Sequence, residues 1–205
     1  MVNRLIDPTE GLIRLFGEDI HSVDPVKLRR QIGYVIQQVG LFPHMTIAQN
    51  IAVVPKLLQW NKSKIEARID ELLSMVGLEP SVFRNRYLAQ LSGGQQQRIG
   101  LSRALATDPK IMLLDEPFGA IDAINRLNLQ DELIRIHGGL KKTFLFVTHD
   151  INEAFKLGTR VIIMNQGKVI QFDTPRNIVK HPADDFVSSL IDSSREQERF
   201  WEGLD

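Results

Sequence analysis

A run of four apolar residues followed directly by two acids constrains the fold of this chain most strongly. Residues Ile111 to Leu114 are all apolar, and Asp115 and Glu116 follow them without a spacer. Continuous apolar runs of this length are typical of strands that are buried on both faces of a parallel sheet. Ligands of open α/β sheets bind at the carboxyl ends of the strands. The pattern therefore predicts an α/β fold in which Asp115 and Glu116 serve a metal ion and a water molecule.

A second motif lies upstream, where Ser92, Gly93 and Gly94 precede Gln95 and the helical pattern that follows it. The first turn of a helix leaves backbone N–H groups without partners inside the helix. The helix dipole adds partial positive charge at the same end. This turn therefore predicts a binding site for a phosphate group.

Two more predicted strands end in polar residues. Gln37 follows residues 33–36. Thr148 is the last residue of the strand 143–148, and His149 follows it. Taken alone, each candidate has an ordinary alternative: a loop glutamine for Gln37, a helix cap for Asp115, and a structural histidine for His149. If the strands are parallel neighbours, their carboxyl ends meet at one edge of the sheet. The joint pattern then favours one shared site.

Composition limits the class of protein. The 25 Lys and Arg residues balance 25 Asp and Glu residues, so no net charge attracts nucleic acid or an anionic membrane. No apolar run reaches the roughly 18 residues of a membrane-spanning helix, and the first residues lack a signal-peptide core. The absence of cysteine excludes disulfides. We expect a soluble, cytoplasmic protein whose membrane role would run through a protein partner.

Local signals divide the chain into strands and helices. Met1 to Ile6 suits the end of a helix that stops at Asp7-Pro8. Residues 46–106 carry only helix signals, with capping boxes at Thr46-x-x-Gln49 and Ser63-x-x-Glu66. In the second of these helices, one face is apolar and consists of Ile65, Ile69, Leu72, Leu73 and Val76. Strands are expected at 11–17, 33–36, 111–114 and 143–148, a hairpin at 160–165 and 168–172, and helices at 24–30, 123–137, from 150 and from 174.

The order and spacing of these motifs resemble the nucleotide-binding (ATPase) subunit of ABC transporters. The resemblance extends from the first residue to about Leu190, with Leu91 to Gln95 matching the family signature. It implies an α/β cassette of the P-loop NTPase type, with a mostly parallel sheet flanked by helices. Residues 1–45 and 107–190 would form an incomplete RecA-like core, 46–106 an α-helical signature subdomain, and 191–205 a polar C-terminal tail.

The resemblance also implies roles for the signature residues and for Gln37. Ser92, Gly93 and Gly94, with Gln95 beside them, would contact the γ-phosphate of ATP held by a second subunit, so that a catalytic unit needs a dimer. Gln37 would reach Mg²⁺ or the attacking water and sense the transmembrane partner.

The acidic residues and the histidine receive the remaining roles by the same resemblance. Asp115 would hold Mg²⁺, and Glu116 would act as the general base for the attacking water. Asp122 would end the D-loop, in which Ile121 replaces the commoner leucine. His149 would contact the γ-phosphate as the switch histidine. The implied cofactors are ATP and Mg²⁺.

Two further segments, Ile32–His44 and Val54–Trp60, resemble uptake ATPases for osmoprotectants such as glycine betaine, carnitine and choline. This implies a separate transmembrane permease, an indirect link to a substrate-binding protein, and a position on the inner face of the cell membrane through the permease. Leu41, Phe42 and Trp60 are either ordinary core or part of the groove that receives the permease's coupling helix.

The phosphate loop Gly-x-x-x-x-Gly-Lys-[Ser/Thr] is absent from the sequence. The Gly167-Lys168 pair is followed by Val169 and falls in the expected hairpin. In the family this loop leads into a helix that ends in a segment like Met1 to Pro8, so the resemblance implies an N-terminal truncation. One alternative is a non-catalytic cassette that depends on a partner cassette. Another is a soluble ABC ATPase acting on nucleic acid, which the zero net charge and the short spacing from Gln37 to Ser92 disfavour.

The missing loop normally supplies the lysine and amides that hold the β- and γ-phosphates. We therefore expect the 205-residue chain alone to bind ATP weakly or not at all and to show no meaningful turnover. Isothermal titration with ATP and Mg²⁺ checks this expectation. Saturable binding at micromolar ATP would contradict it.

Overall fold

A computed structural model describes residues 1–36, 40–119, 121–140 and 142–202. The chain forms two compact units, Met1–Leu145 and Phe146–Asp205. The elements of the first unit are β1 (Arg14–Leu15), β2 (Glu18–Asp19), α1 (Pro25–Arg30), β3 (Ile32–Val35), α2 (Ile47–Leu57), α3 (Lys62–Met75), α4 (Pro80–Phe83), α5 (Gly93–Leu105), β4 (Ile111–Asp115) and α6 (Ala123–Gly139). The division into core, helical subdomain and tail stays a prediction.

The strands β3 and β4 form the parallel pair on which the candidate site is built. Ile32 lies opposite Ile111, and Val35 lies opposite Leu114. The strand β5, Thr143–Val147, follows in the order β3-β4-β5. All four apolar residues of β4 are buried, and Met112 is completely inaccessible. The predicted α/β fold with parallel strands is confirmed.

The start of the chain differs from its prediction. Turns and bends replace the helix end expected before the first proline. Arg4 has a φ of 51°, and its guanidinium donates to the carbonyls of Ile20 at 3.2 Å and Val23 at 3.1 Å. Arg29 donates to the carbonyl of Asn3 at 3.0 Å. Hydrogen bonds between residues distant in sequence therefore set this conformation, and no local pattern encodes them.

The strand expected at 11–17 is also shorter than predicted. β1 covers Arg14–Leu15 and pairs antiparallel with β2. Phe16 and Gly17 connect the two strands with φ angles of 56° and 86°. The left-handed conformation of these two residues makes the tight turn that the apolar pattern alone conceals.

The capping box that opens α2 is confirmed. The Thr46 hydroxyl accepts the N–H of Gln49 at 3.2 Å, and the Gln49 side chain accepts the N–H of Thr46 at 2.8 Å. The helix expected at 24–30 likewise begins as predicted, with the Asp24 carboxylate accepting the N–H of Lys27 at 2.9 Å.

The capping box predicted for α3 at Ser63 and Glu66 is wrong. Asn61 is the N-cap, and its side-chain oxygen accepts the N–H of Lys64 at 2.8 Å. The Ser63 hydroxyl donates to the same oxygen at 3.0 Å, so it supports the cap instead of forming it. The apolar face of this helix is buried as predicted, at Ile65, Ile69, Leu72, Leu73 and Val76.

The second unit contains a hairpin and three helices in its described part. They are α7 (Ile151–Leu157), β6 (Val161–Asn165), β7 (Lys168–Asp173), α8 (Pro175–Lys180) and α9 (Asp185–Glu202). The predicted hairpin is confirmed, with Gln166 and Gly167 at φ angles of 47° and 77° in its turn. The expected tail begins inside α9, where Ile191 is buried with Val187 against the hairpin.

None of the helices in the described part of the chain is long and apolar enough to cross a membrane.

Asn50 of α2 organises the loop that precedes this helix. Its side chain is completely buried. The side-chain oxygen accepts the N–H of Phe42 at 2.8 Å, and the amide donates to the carbonyls of Phe42 (3.1 Å), Met45 (3.3 Å) and Thr46 (3.1 Å). One asparagine therefore satisfies backbone groups of Phe42, Met45 and Thr46.

Replacing Asn50 by leucine should destabilise the chain by about 2–4 kcal/mol, because several partly buried backbone groups lose their partner at once. The matched control is Asn128→Leu on an exposed position of α6, which should change the free energy of unfolding by less than about 0.5 kcal/mol. Urea unfolding followed by circular dichroism measures both values. Equal losses in the two variants would contradict this role of Asn50.

Candidate functional site

The signature residues form the start of α5. Ser92 is the N-cap, and its hydroxyl accepts the N–H of Gln95 at 3.3 Å. The Gln95 side chain in turn accepts the N–H of Ser92 at 3.0 Å. Within the described residues, the N–H groups of Gly93 and Gly94 have no such partner. Two donors at a positive helix end are thus available to an anion, which fits the phosphate site expected here.

The two glycines are not required by packing among the described residues. A Cβ atom built on Gly93 meets nothing within 4 Å, and one on Gly94 meets only Leu129 at 3.7 Å. Neither glycine has a positive φ. Gly33 of β3 is different, since a Cβ atom there would lie 2.7 Å from the carbonyl oxygen of Ala104. The open space at Gly93 leaves the backbone accessible to a phosphate group.

Asp115 and Glu116 follow the buried strand as predicted. Asp115 is the last residue of β4, and both side chains are half-buried. Glu116 has a φ of 43°, which is uncommon for a residue with a side chain. Its carbonyl accepts the N–H of Gly119 at 3.1 Å in the turn that follows. Backbone outliers of this kind cluster at functional sites, where the surrounding structure holds them in place.

Tyr34 is a site residue that the sequence analysis missed. It lies opposite Leu113 in the parallel ladder and therefore on the same sheet face as Asp115. Burial raises the pKa of Tyr34, and the negative charge of the nearby Asp115 carboxylate raises it further. Tyr34 therefore lies near a carboxylate of the kind that Mg²⁺ takes as a ligand in proteins. Side chains alternate between the two faces of a strand. The sequence could therefore have placed Tyr34 on the face of Asp115 only if the register of β3 and β4 had been known.

Gln97 is the second residue that the sequence analysis missed. Its side chain is buried, and its amide donates to the carbonyl of Pro117. This contact ties the helix that begins with the signature glycines to the loop that follows Glu116. A cavity of about 20 Å³ lies beside it and is lined mainly by apolar side chains, among them Val35, Leu101, Leu114, Phe118, Leu129 and Leu133.

Asp122 is the N-cap of α6. Its carboxylate accepts the backbone N–H of Asn125 at 3.1 Å and the side-chain amide of the same residue at 2.7 Å. The hydrogen bond from the Asn125 side chain and then that from its backbone hold the pKa of Asp122 below its usual value. Asp122 is therefore an oriented anion at an exposed helix start. Phe118 and Ile121 of the predicted D-loop are buried, and Ala120 lies outside the described residues.

His149 lies in the second unit, between β5 and α7, and is exposed. Thr148 fixes the loop on one side, since its hydroxyl donates to the buried Glu153 carboxylate at 2.7 Å and accepts the N–H of Asp150 at 3.0 Å. Asp150 caps α7 as predicted by accepting the N–H groups of Asn152 and Glu153. The loop that carries the histidine is thus anchored at both neighbours.

The structure brings together part of the predicted site. Within the first unit, Gln97 joins the signature helix to the loop after Asp115 and Glu116. Gln37 lies outside the described residues, and His149 belongs to the second unit. Their meeting with the acidic pair at one edge of the sheet stays a prediction. In the described part of the chain, no group of three or more His, Asp or Glu side chains is placed to hold a metal ion.

Comparisons with known proteins agree with this arrangement. The family model for ABC transporters matches residues 1–119. The glycine betaine/carnitine/choline transport ATP-binding protein OpuCA of Bacillus subtilis is 53% identical over 195 residues, which cover 95% of this chain and 51% of that protein. The osmoprotectant import ATP-binding protein OsmV of Salmonella typhimurium is 49% identical over 199 residues, which cover 97% and 52%. The chain spans about half the length of these relatives.

Solved structures give the same result. cbiO1 of Clostridium perfringens, part of the ABC transporter complex cbiONQ, matches with a TM-score of 0.80 and 25% identity over 89% of this chain and 73% of that one. The ATP-binding cassette MJ0796, in a dimeric state bound to ADP and Pi, matches with a TM-score of 0.71 and 35% identity over 85% and 77%. The family match covers more than half of the chain, and the chain belongs to the ABC transporter family.

Proposed function

We propose that this chain belongs to the ATP-binding and ATP-hydrolysing subunit of an importer for quaternary-amine osmoprotectants such as glycine betaine, carnitine and choline, and that the 205 residues alone do not turn ATP over, because the phosphate loop is absent from them. The observation that carries the proposal is the start of α5, where two N–H donors are open to a phosphate on a helix tied to the loop of Glu116. The names of the similar osmoprotectant proteins support the class of solute.

In the proposed site, Ser92, Gly93 and Gly94 contact the γ-phosphate of an ATP held by a second cassette. Gln95 keeps this helix start in shape through its bond to Ser92. Asp122 lies at the start of α6 as an oriented anion for the contact between the two cassettes.

The reacting side of the site uses the acidic pair. Asp115, with Tyr34 near it, would hold Mg²⁺, which would neutralise charge on the phosphates when bound. Glu116 accepts a proton from the attacking water as general base. The proposed roles of the other two residues are those that the resemblance implies: Gln37 would serve the metal and the attacking water, and His149 would serve the γ-phosphate.

The proposed partner is a transmembrane permease, which places the protein on the inner face of the membrane. A groove of about 540 Å³ lies along α2 and fits this role, with His44, Met45, Gln49, Val53, Lys56 and Leu57 as its lining. Phe42, in the loop that Asn50 holds, is 38% exposed, and Leu57 of the groove is exposed as well. Apolar groups of this kind suit a helix of the permease. The balanced charge of the chain gives no support to nucleic acid as a partner.

Uptake in the protein's own cells tests the proposal. Cells in which Glu116→Gln replaces the normal protein should lose accumulation of labelled glycine betaine, carnitine and choline after an osmotic upshift. The rate of transport should fall at least about 100-fold, since a general base contributes about that much or more. The matched control is Glu10→Gln at an exposed position, which should leave uptake unchanged. Normal uptake in the Glu116→Gln cells would contradict the proposal.

Gly93→Ala separates the requirement for function from the requirement for folding. The alanine should raise the free energy of unfolding by about 0.4–1 kcal/mol, because it restricts the unfolded chain and meets no atom in the folded one. Uptake should nevertheless fall, because the methyl group occupies the space of the phosphate. Gly33→Ala is the contrast, since its clash should cost about 1–3 kcal/mol. Urea unfolding and uptake assays measure both effects. A destabilised Gly93→Ala protein would contradict the open helix start.

A further inference from the structure

The three consecutive glutamines of the signature helix make three different sets of bonds. Gln95 closes the capping box with Ser92. Gln96 donates to the carbonyls of Leu88 at 3.2 Å and Leu91 at 3.4 Å, both in the segment just before the helix. Gln97 alone of the three donates to a residue after β4, the carbonyl of Pro117. The Gln97 amide therefore links α5 to the acidic loop.

The acceptor of this bond is the carbonyl of Pro117, and the preceding residue, Glu116, has an unfavourable backbone conformation. Glu116 precedes a proline, and a residue in that position prefers an extended conformation. Its φ of 43° is far from that preference. The turn bond from Gly119 to the Glu116 carbonyl holds one side of the loop, and the bond from Gln97 holds the other. The loop that carries Glu116 is therefore bonded directly to α5.

Few polar groups near the Pro117 carbonyl could replace the Gln97 amide as its hydrogen-bond donor. Pro117 and Phe118 are buried, and the side chains around the adjoining cavity are mainly apolar. A buried carbonyl that loses its partner in such surroundings is costly, so the loop would shift to recover a bond. A shift of about 1 Å at a catalytic group can lower a rate about 100-fold.

We propose that Gln97 is a positioning residue that couples the phosphate-contacting end of α5 to Glu116. This inference rests on the proposed function. The N–H donors of Gly93 and Gly94 lie one helical turn before Gln97, so a phosphate bound there acts on the same rigid segment that holds Pro117. In a dimer, ATP bound at one site then orders the general base of the other site, and hydrolysis is cooperative.

The first test uses the complete transporter, purified from the protein's own cells with its permease. Gln97→Met keeps an unbranched side chain of similar length but removes the donor. Its kcat should fall about 10- to 100-fold, while the KM for ATP changes less than about twofold, and the Hill coefficient for ATP should fall toward one. Gln96→Met is the matched control and should retain both kcat and the Hill coefficient.

A second variant keeps the inference testable if Gln97→Met does not fold. Gln97→Glu is nearly identical in shape, and only its protonated carboxyl can donate to the Pro117 carbonyl. Burial raises the pKa of a carboxyl group. The kcat of Gln97→Glu relative to the unmodified protein should therefore rise as the pH is lowered from about 8 to about 6. Gln96→Glu should show no such rise.

The outcomes separate this inference from the proposed function. A transporter that hydrolyses ATP without cooperativity, or with unchanged kcat and Hill coefficient in Gln97→Met, overturns the coupling role of Gln97 and leaves the proposed function intact. Equal losses in Gln96→Met and Gln97→Met, or parallel pH profiles for the two glutamate variants, overturn it as well. A transporter in which the unmodified protein has no ATPase activity overturns the proposed function itself.

Discussion

The burial of β4 is the constraint on which the candidate site depends. Its four apolar residues lie inside the first unit, and the parallel ladder with β3 fixes their register. The strand must then end at Asp115, because carboxylates cannot follow it into an apolar interior without partners. That end brings Asp115 to Tyr34 and leaves Glu116 in a turn with a left-handed backbone. The two candidate site residues therefore follow directly after the buried part of β4.

The start of α5 differs from the end of β4, because the backbone N–H groups of Gly93 and Gly94 have no partner among the described residues. At the start of α2, the N–H groups of Ile47 and Ala48 donate to the carbonyls of Arg86 and Arg84, both at 2.9 Å. At α5 the Ser92–Gln95 capping box satisfies only its own two N–H groups, and the glycines between them keep theirs. The bond from Gln97 to Pro117 then joins the open helix start to the acidic turn.

Local signals predicted much of this architecture, and tertiary contacts account for the rest. The buried run of β4, the Thr46 cap and the hairpin turn at Gly167 are encoded by neighbouring residues. The helix α9 was not predicted, because its long polar sequence is held by only a few apolar contacts such as Val187. Tyr34 could not be predicted from the sequence, because its position near Asp115 depends on the strand register. Gln97 could not be predicted either, because a polar residue inside a helix gives no local sign of burial.

Hydrogen exchange at the start of α5 tests the central claim most directly. The complete protein is compared with ATP and Mg²⁺, with ADP and Mg²⁺, and without nucleotide, in a Glu116→Gln background that prevents turnover. Peptides covering residues 91–98 should become protected with ATP and should remain unprotected with ADP, because only ATP carries the γ-phosphate that the Gly93 and Gly94 donors would bind. Equal exchange in all three states would contradict the claim that this helix start binds a phosphate.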